Sequence, residues 1–150
     1  MKLIVENETA MEALGGRIAR VSGQGALIFL LGDLGAGKTT LVRGLLRQLG
    51  HRGKVKSPTY ALIEQYEIDN RHIYHLDLYR LTDPEELEYL GIREFREGAS
   101  ICLIEWPQNG AQGVVQPDLT IHIHYENKGR CVEFIENTSV GKKMVDLLQS

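Results

Sequence analysis

Several features that would assign a chain to a special class of protein are scarce or absent in this sequence. Its 150 residues include only two cysteines, Cys102 and Cys131, each in an apolar or alternating run with no metal-ligand neighbour, so we expect two reduced, buried thiols. No apolar run approaches the ~20 residues that cross a bilayer, and the N-terminal stretch turns polar too early for a signal peptide. The net charge of -3 lacks the basic excess of dedicated nucleic-acid binders. These absences predict a cytoplasmic protein that binds neither membranes nor DNA.

What is present fits one compact domain, residues 1–150, of the α/β class. The hydrophobic share of 43% and the charged share of 25% are ordinary for globular proteins. Short apolar or alternating runs predict strands at Lys2–Val5, at Ala26–Leu31, on either side of a turn at 69–70, at 100–106, and on either side of "NKG". Strands of parallel type together with hairpins predict a sandwich with a mixed central sheet.

Four helices are predicted from apolar residues at helical spacing and from residues typical of helix ends. These end signals are Thr9 and Glu12 for the start of the first helix, Gly50 for the end of the second, Asp83, Pro84, Glu86 and Gly91 for the third, and Ser139 for the start of the last.

The nine residues "GDLGAGKTT", 32–40, lie between a predicted buried strand and a predicted helix. Gly32, Gly37, Lys38 and Thr39 match G-x-x-x-x-G-K-[ST] at every fixed position. Glycine lets backbone N–H groups converge on phosphate, and the following helix turns its positive dipole end toward it. Lys38 would reach the β- and γ-phosphates, and the Thr39 hydroxyl would bind magnesium. The motif therefore predicts a nucleotide site on a P-loop NTPase-like three-layer sandwich with a mixed, partly parallel central sheet.

The identity of the nucleotide base is predicted from a guanine-recognition element that is incomplete in this sequence. Guanine-specific P-loop proteins commonly carry N-K-x-D, whereas "NKGR" ends in Arg130 and is better explained as a hairpin turn. ATP is therefore the expected nucleotide, with ADP as its product.

Two carboxylates and a threonine are candidates for chemistry beside this loop. Asp77 ends the strand "IYHLD" and Glu105 ends "ICLIE", so both are expected near the phosphates. Either acid can hold magnesium while the other orients or deprotonates the attacking group. Thr59 follows Pro58 in "KSPTY" and is a candidate switch residue that senses magnesium and the γ-phosphate.

Four segments together resemble one family over nearly the whole chain. "GDLGAGKTT", "VKSPTY", "YHLDLYRLTDPEELEYLGI" and "ICLIEWPQ", in this order and spacing, are similar to the TsaE family of small bacterial ATPases. The resemblance implies slow ATP hydrolysis with magnesium, and partnership with TsaB- and TsaD-like proteins that make threonylcarbamoyladenosine in tRNA. It implies that tRNA is contacted only indirectly, through that complex.

The resemblance also implies roles for particular residues. Glu105 takes the Walker B role and binds magnesium with Thr39, while Asp77 is the second functional acid and Thr59 the switch threonine. Glu8 lies near the base. The residues implied in phosphate binding are Gly35, Ala36, Gly37, Lys38, Thr39 and Thr40.

Two other functions compete with this interpretation. A small-molecule kinase shares a P-loop and a neighbouring acid but usually needs an arginine-bearing lid. After Glu105 the expected lid arginine is missing, because Arg130 lies in a predicted hairpin turn. A nucleotide-gated binding module with negligible hydrolysis would keep all three candidate residues, and only turnover with partners present separates it from an ATPase.

Overall fold

The computed structural model describes residues 1–96 and 99–150, which form a mixed α/β fold. The strands are β1 (Lys2–Val5), β2 (Ala26–Leu31), β3 (Ile63–Ile68), β4 (Arg71–Asp77), β5 (Ile101–Glu105), β6 (Leu119–Glu126) and β7 (Gly129–Glu136). The α-helices are α1 (Glu8–Val21), α2 (Lys38–Leu49), α3 (Glu85–Leu90) and α4 (Ser139–Gln149), with 3-10 helices at Ile92–Arg96 and Pro107–Asn109. Each strand and α-helix predicted from the sequence is present. No helix among the described residues has both the length and the apolarity to span a bilayer.

The strands form one seven-stranded sheet in the order β1-β7-β6-β2-β5-β4-β3. Strand β2 pairs in parallel with β5 and β6, and β4 pairs in parallel with β5. The pairs β1–β7, β6–β7 and β3–β4 are antiparallel. The predicted mixed, partly parallel sheet is confirmed, and the parallel strands β2, β5 and β4 bring their carboxyl ends to one edge.

Helices cover the sheet on both faces, which confirms the predicted three-layer sandwich. Helices α1, α2 and α4 pack on one face against side chains such as Ile28, Leu30 and Ile121. Helix α3 and the segment after it pack on the other face against Leu27, Phe29 and neighbouring side chains. That second layer stops short of β1 and β7, where Ile4 is 64% exposed and Ile135 is 42% exposed. The β6–β7–β1 end of the sheet therefore keeps one open face.

Two glycines let α1 and α2 cross at very short range. A Cβ on Gly44 would lie 2.0 Å from the Glu12 carbonyl oxygen, and one on Gly15 would lie 2.1 Å from the Leu41 carbonyl oxygen. Any side chain here would force the helices apart, because cores resist added volume. The Arg43 guanidinium adds an ion pair to the Glu12 carboxylate at 2.7 Å. The crossing fixes α2, and with it the loop that precedes α2.

Three of the predicted helix starts are wrong by one or two residues. Asn7, not Thr9, caps α1, since its side chain accepts a hydrogen bond of 2.8 Å from the Ala10 N–H. Thr138, not Ser139, caps α4 through the Gly141 N–H. Pro84 is the cap residue of α3 rather than its first residue. Before α1 and α4 more than one nearby residue is a good cap, so local preference alone does not select among them.

Part of the capping predicted for α3 is present. The end of β5 and the burial of Cys131 differ from the prediction. The Asp83 side chain accepts from the Glu85 N–H at 3.0 Å, and Gly91 ends the helix in the left-handed conformation, as predicted. Strand β5 stops at Glu105 because Trp106 adopts a positive φ of 56°. Cys102 is buried, as predicted, whereas Cys131 is only partly buried.

Candidate active site

The segment 32–37 forms a loop of glycines that turns the chain from β2 into α2. Gly35 and Gly37 have φ values of 80° and 115°, which side-chain-bearing residues rarely adopt. Gly37 is the N-cap of α2 and supplies no side-chain acceptor to the first turn of the helix. The N–H groups at this helix start are therefore available to an anion, in the field of the helix dipole.

Lys38 opens α2 and points its ammonium back across the loop. The Nζ atom donates to the Gly32 carbonyl, lies 3.9 Å from Glu105 Oε1 and sits 4.6 Å from the centre of the Trp106 ring. Burial lowers the pKa of Lys38, while the negative charges of Glu105, Asp77 and Asp33 oppose that shift. The side chain is only 5% exposed, so its charge acts in a partly dehydrated site where electrostatic forces are strong.

Asp77 and Glu105 end adjacent parallel strands and lie directly opposite each other in the sheet register. Each residue is 3% exposed. Thr59 donates its hydroxyl proton to Asp77 Oδ2 at 2.8 Å, and the Tyr79 N–H donates to Asp77 Oδ1 at 3.0 Å. Thr59 Oγ1 also lies 2.8 Å from the Ser57 hydroxyl, so the loop at 57–59 is tied to the end of β4.

His75 is a site residue that the sequence analysis missed. Its Nε2 lies 2.5 Å from Glu105 Oε2, and the ring is fully buried. Nδ1 has no hydrogen-bond partner among the described residues. The available signal was strand alternation, because His75 lies two residues before Asp77 and therefore on the same face of β4. His75 contacts Oε2 of the Glu105 carboxylate, while the other oxygen, Oε1, faces Lys38. The histidine therefore orients this carboxylate toward Lys38.

The predicted site residues line two adjoining cavities. The first, of about 280 Å³, runs over the start of α2 and the strand ends. The predicted residues that line it are Glu8, Gly35, Gly37, Lys38, Thr39, Thr40, Thr59, Asp77 and Glu105. The second, of about 330 Å³, shares Glu8, Gly35, Gly37 and Thr40 with the first and also contains Ala36. The structure thus brings together all ten predicted residues around one continuous cleft.

Arg130 and Tyr125 join the β6–β7 hairpin to the glycine loop, a contact that the sequence analysis also missed. Arg130 donates from Nε to the Ala36 carbonyl at 3.0 Å and from Nη2 to the Gly35 carbonyl at 3.4 Å. Its guanidinium lies 4.2 Å from the centre of the Tyr125 ring, and the Tyr125 hydroxyl donates to the Leu34 carbonyl at 3.0 Å. The hairpin is confirmed, but its turn is shorter than predicted, since Arg130 already lies in β7. The hairpin also reaches the second cavity.

The donor set at the cleft fits a magnesium ion. Thr39 contributes a hydroxyl oxygen and Glu105 a carboxylate oxygen, and both line the first cavity beside Lys38. Hard oxygen donors of this kind, completed by phosphate oxygens and water, are what Mg²⁺ prefers. Beside the strand ends the cleft combines the N–H groups at the start of α2, the Lys38 ammonium and the carboxylates of Asp77 and Glu105. Groups of these kinds are the ones that phosphoryl-transfer chemistry uses.

Comparison with known proteins gives a consistent result at the level of family and fold. A family model described as "Threonylcarbamoyl adenosine biosynthesis protein TsaE" matches residues 5–132. A Haemophilus influenzae protein named "tRNA threonylcarbamoyladenosine biosynthesis protein TsaE" is 44% identical over 146 residues, covering 94% of this chain and 92% of the relative. A Bacillus subtilis protein of the same name is 35% identical, with coverage of 91% and 84%. The crystal structure of Bacillus subtilis YdiB superposes with a TM-score of 0.83 at 27% identity, over 99% of this chain and 93% of that one.

Proposed function

The chain belongs to the TsaE family, and from that premise we propose that it is a magnesium-dependent ATPase that supports threonylcarbamoyladenosine formation in tRNA by acting on a TsaB–TsaD-like complex. Proteins of this family take part in tRNA threonylcarbamoyladenosine biosynthesis. The observation that carries the ATPase proposal is the convergence of Lys38, Asp77 and Glu105 on the cleft at the start of α2.

In this proposal the loop and Lys38 hold the phosphate chain. The N–H groups at the start of α2 bind phosphate oxygens, and the Lys38 ammonium leaves the Gly32 carbonyl for the β- and γ-phosphates. Thr39 and Glu105 would hold magnesium, which would neutralise charge at the phosphate oxygens. Asp77, held by Thr59 and by the Tyr79 N–H, orients the attacking water.

The second cavity is the expected place for the base and ribose. It adjoins the phosphate cleft at Glu8 and Gly35, and its far wall is Arg130 with the hairpin turn. A cavity of about 330 Å³ has the size typical of small-ligand sites. ATP thus spans both cavities, with its phosphates at Lys38.

A path from the nucleotide to a partner surface runs through Thr59. Its hydroxyl faces Asp77, while the next residue, Tyr60, is 83% exposed. The Arg80 guanidinium lies 4.4 Å from the centre of the Tyr60 ring. Tyr60 follows Thr59 in the chain and Arg80 lies three residues after Asp77, so the exposed surface that these two side chains form is connected to Asp77 through both segments. We infer that ATP and ADP present this surface differently to the TsaB- and TsaD-like partners, in the cytoplasm, with tRNA reached only through the complex.

The test is phosphate release from ATP with and without purified TsaB- and TsaD-like proteins. We expect slow release by the chain alone, faster release with partners, and at least about tenfold loss in Lys38→Ala. Lys54→Ala, which removes an exposed lysine outside the cleft, is the matched control. Phosphate recovered on a small metabolite instead of in water would indicate a kinase. Partner binding that follows the nucleotide without any turnover would indicate a binding module, and either result overturns the ATPase assignment.

A further inference from the structure

A cluster of three metal-ligating side chains lies on the open face of the β6–β7 hairpin. We propose that His122, His124 and Glu133 form a second metal site, for a zinc-like transition-metal ion rather than for magnesium. One donor atom from each residue lies within 4.8 Å of the other two. These three residues are not among the described residues that line the phosphate cleft.

The register of the hairpin builds this cluster. His122 and His124 are two residues apart on β6, so their rings share one face, and Glu133 on β7 lies directly opposite His122. The two ring centres are 3.8 Å apart. The same face carries Ile4 and Ile135 in the open, so an ion approaches from solvent without displacing the helical layers.

The distances suit a tetrahedral ion. His124 Nε2 lies 3.5 Å from Glu133 Oε1, too far for a strong hydrogen bond. Metal–ligand bonds of about 2.0–2.1 Å in a tetrahedron separate neighbouring donors by about 3.4 Å, which is close to the distance between these two atoms. The exposed fractions of 44% for His124 and 33% for Glu133 leave a fourth position open to water.

The chemistry of the donors selects the ion. Two imidazole nitrogens and one carboxylate suit zinc and other first-row transition metals, whereas magnesium prefers an all-oxygen shell.

The experiment is a calorimetric titration of the nucleotide-free full chain with zinc chloride, in buffer that contains excess magnesium to occupy the phosphate cleft. We expect one equivalent of zinc to bind. His124→Asn and Glu133→Gln should each weaken binding by at least about tenfold, since each removes a ligand. Both side chains are partly exposed, so the variants are expected to fold, which circular dichroism checks.

Two controls keep the assignment specific. His72→Asn removes another exposed histidine, on β4, and Cys131→Ser removes the thiol that lies opposite His124. Both should bind zinc like the parent chain. Cobalt absorption adds a second measurement, because intense d–d bands report a four-coordinate ion and should vanish in the ligand variants. Absence of stoichiometric zinc binding, parental affinity in His124→Asn and Glu133→Gln, or equal loss in either control would overturn the proposal.

Discussion

Glu105→Gln gives the sharpest test of the phosphate cleft, because it removes one charge while keeping the shape of the side chain. Glu105 faces the Lys38 ammonium at 3.9 Å and the His75 ring at 2.5 Å. A glutamine still offers His75 a hydrogen-bond partner, so the fold is expected to persist. An alanine would leave the buried imidazole without one, at a cost of about 1–3 kcal/mol.

The size of the effect follows from the charges that Glu105 meets. Two unit charges about 4 Å apart interact by about 4 kcal/mol at an effective dielectric constant of about 20. Glu105 therefore attracts Lys38 and repels bound phosphate with comparable strength, and magnesium reverses that repulsion. Without magnesium, ADP should bind Glu105→Gln about tenfold more tightly than the parent, a gain of about 1.4 kcal/mol. With magnesium, hydrolysis should fall by about 100-fold, through loss of about 3 kcal/mol of transition-state stabilisation.

Two measurements check that Glu105→Gln tightens metal-free ADP binding while it slows hydrolysis. Calorimetry with ADP, with and without magnesium, gives the affinities, and partner-stimulated phosphate release gives the rate. Glu67→Gln, an exposed acid on β3, is the control for loss of one negative charge. If Glu105→Gln hydrolyses ATP at the parental rate, or binds metal-free ADP no better than the parent, Glu105 does not face the phosphates as argued.

Further predictions concern the switch loop, the buried histidine and the helix crossing. Thr59→Ala loses the bond to Asp77, so the partner's preference for the ATP form over the ADP form should shrink by the ~1–3 kcal/mol typical of coupling, measured by titration in both states. His75→Phe should leave ADP affinity within about twofold but lower the turnover rate at least tenfold, because it frees the Glu105 carboxylate. Gly44→Ala should lower stability by about 1–3 kcal/mol in urea melts, since its Cβ meets the Glu12 carbonyl. Gly16→Ala, where the nearest atom is 3.5 Å away, should instead raise stability by about 0.5–1 kcal/mol, and the same sign for both would contradict the packing argument.

Local pattern was enough to predict the strands and α-helices and to single out residues such as Lys38, Asp77 and Glu105. Glu8, Gly35, Ala36 and Thr40 became candidates only through the resemblance to a family. The run "ALIFLL" is apolar throughout because β2 is buried on both faces between β5 and β6. The spacing of Gly37, Lys38 and Thr39 describes one loop, so no long-range contact was needed to locate it. Asp77 and Glu105 each end an apolar run, and the parallel sheet then sets them side by side.

Contacts between segments far apart in the chain could not be predicted from the sequence. The bonds from Arg130 to the loop join residues 94 and 95 positions apart, and "NKGR" by itself describes only a turn. The His122–His124–Glu133 group needs the β6–β7 register, which the two alternating runs do not specify without the length of the turn. The cap of α1 at Asn7 depends on where β1 ends, and residues 7 and 9 are equally suitable in isolation.

The bonds from the hairpin to the glycine loop bear on the entropy of nucleotide binding. Tyr125 and Arg130 hold the carbonyls of residues 34–36 before any ligand arrives. Ordering the backbone of a flexible loop costs about 1–2 kcal/mol per residue, and in a flexible loop this cost would reduce the free energy of nucleotide binding. In this protein the loop is already ordered when the hairpin folds, so the entropic cost does not arise on binding. More of the contact energy of the loop therefore contributes to nucleotide affinity. Weakening the hairpin at Arg130 should therefore reduce ATP and ADP affinity alike, with the loss mainly in binding entropy.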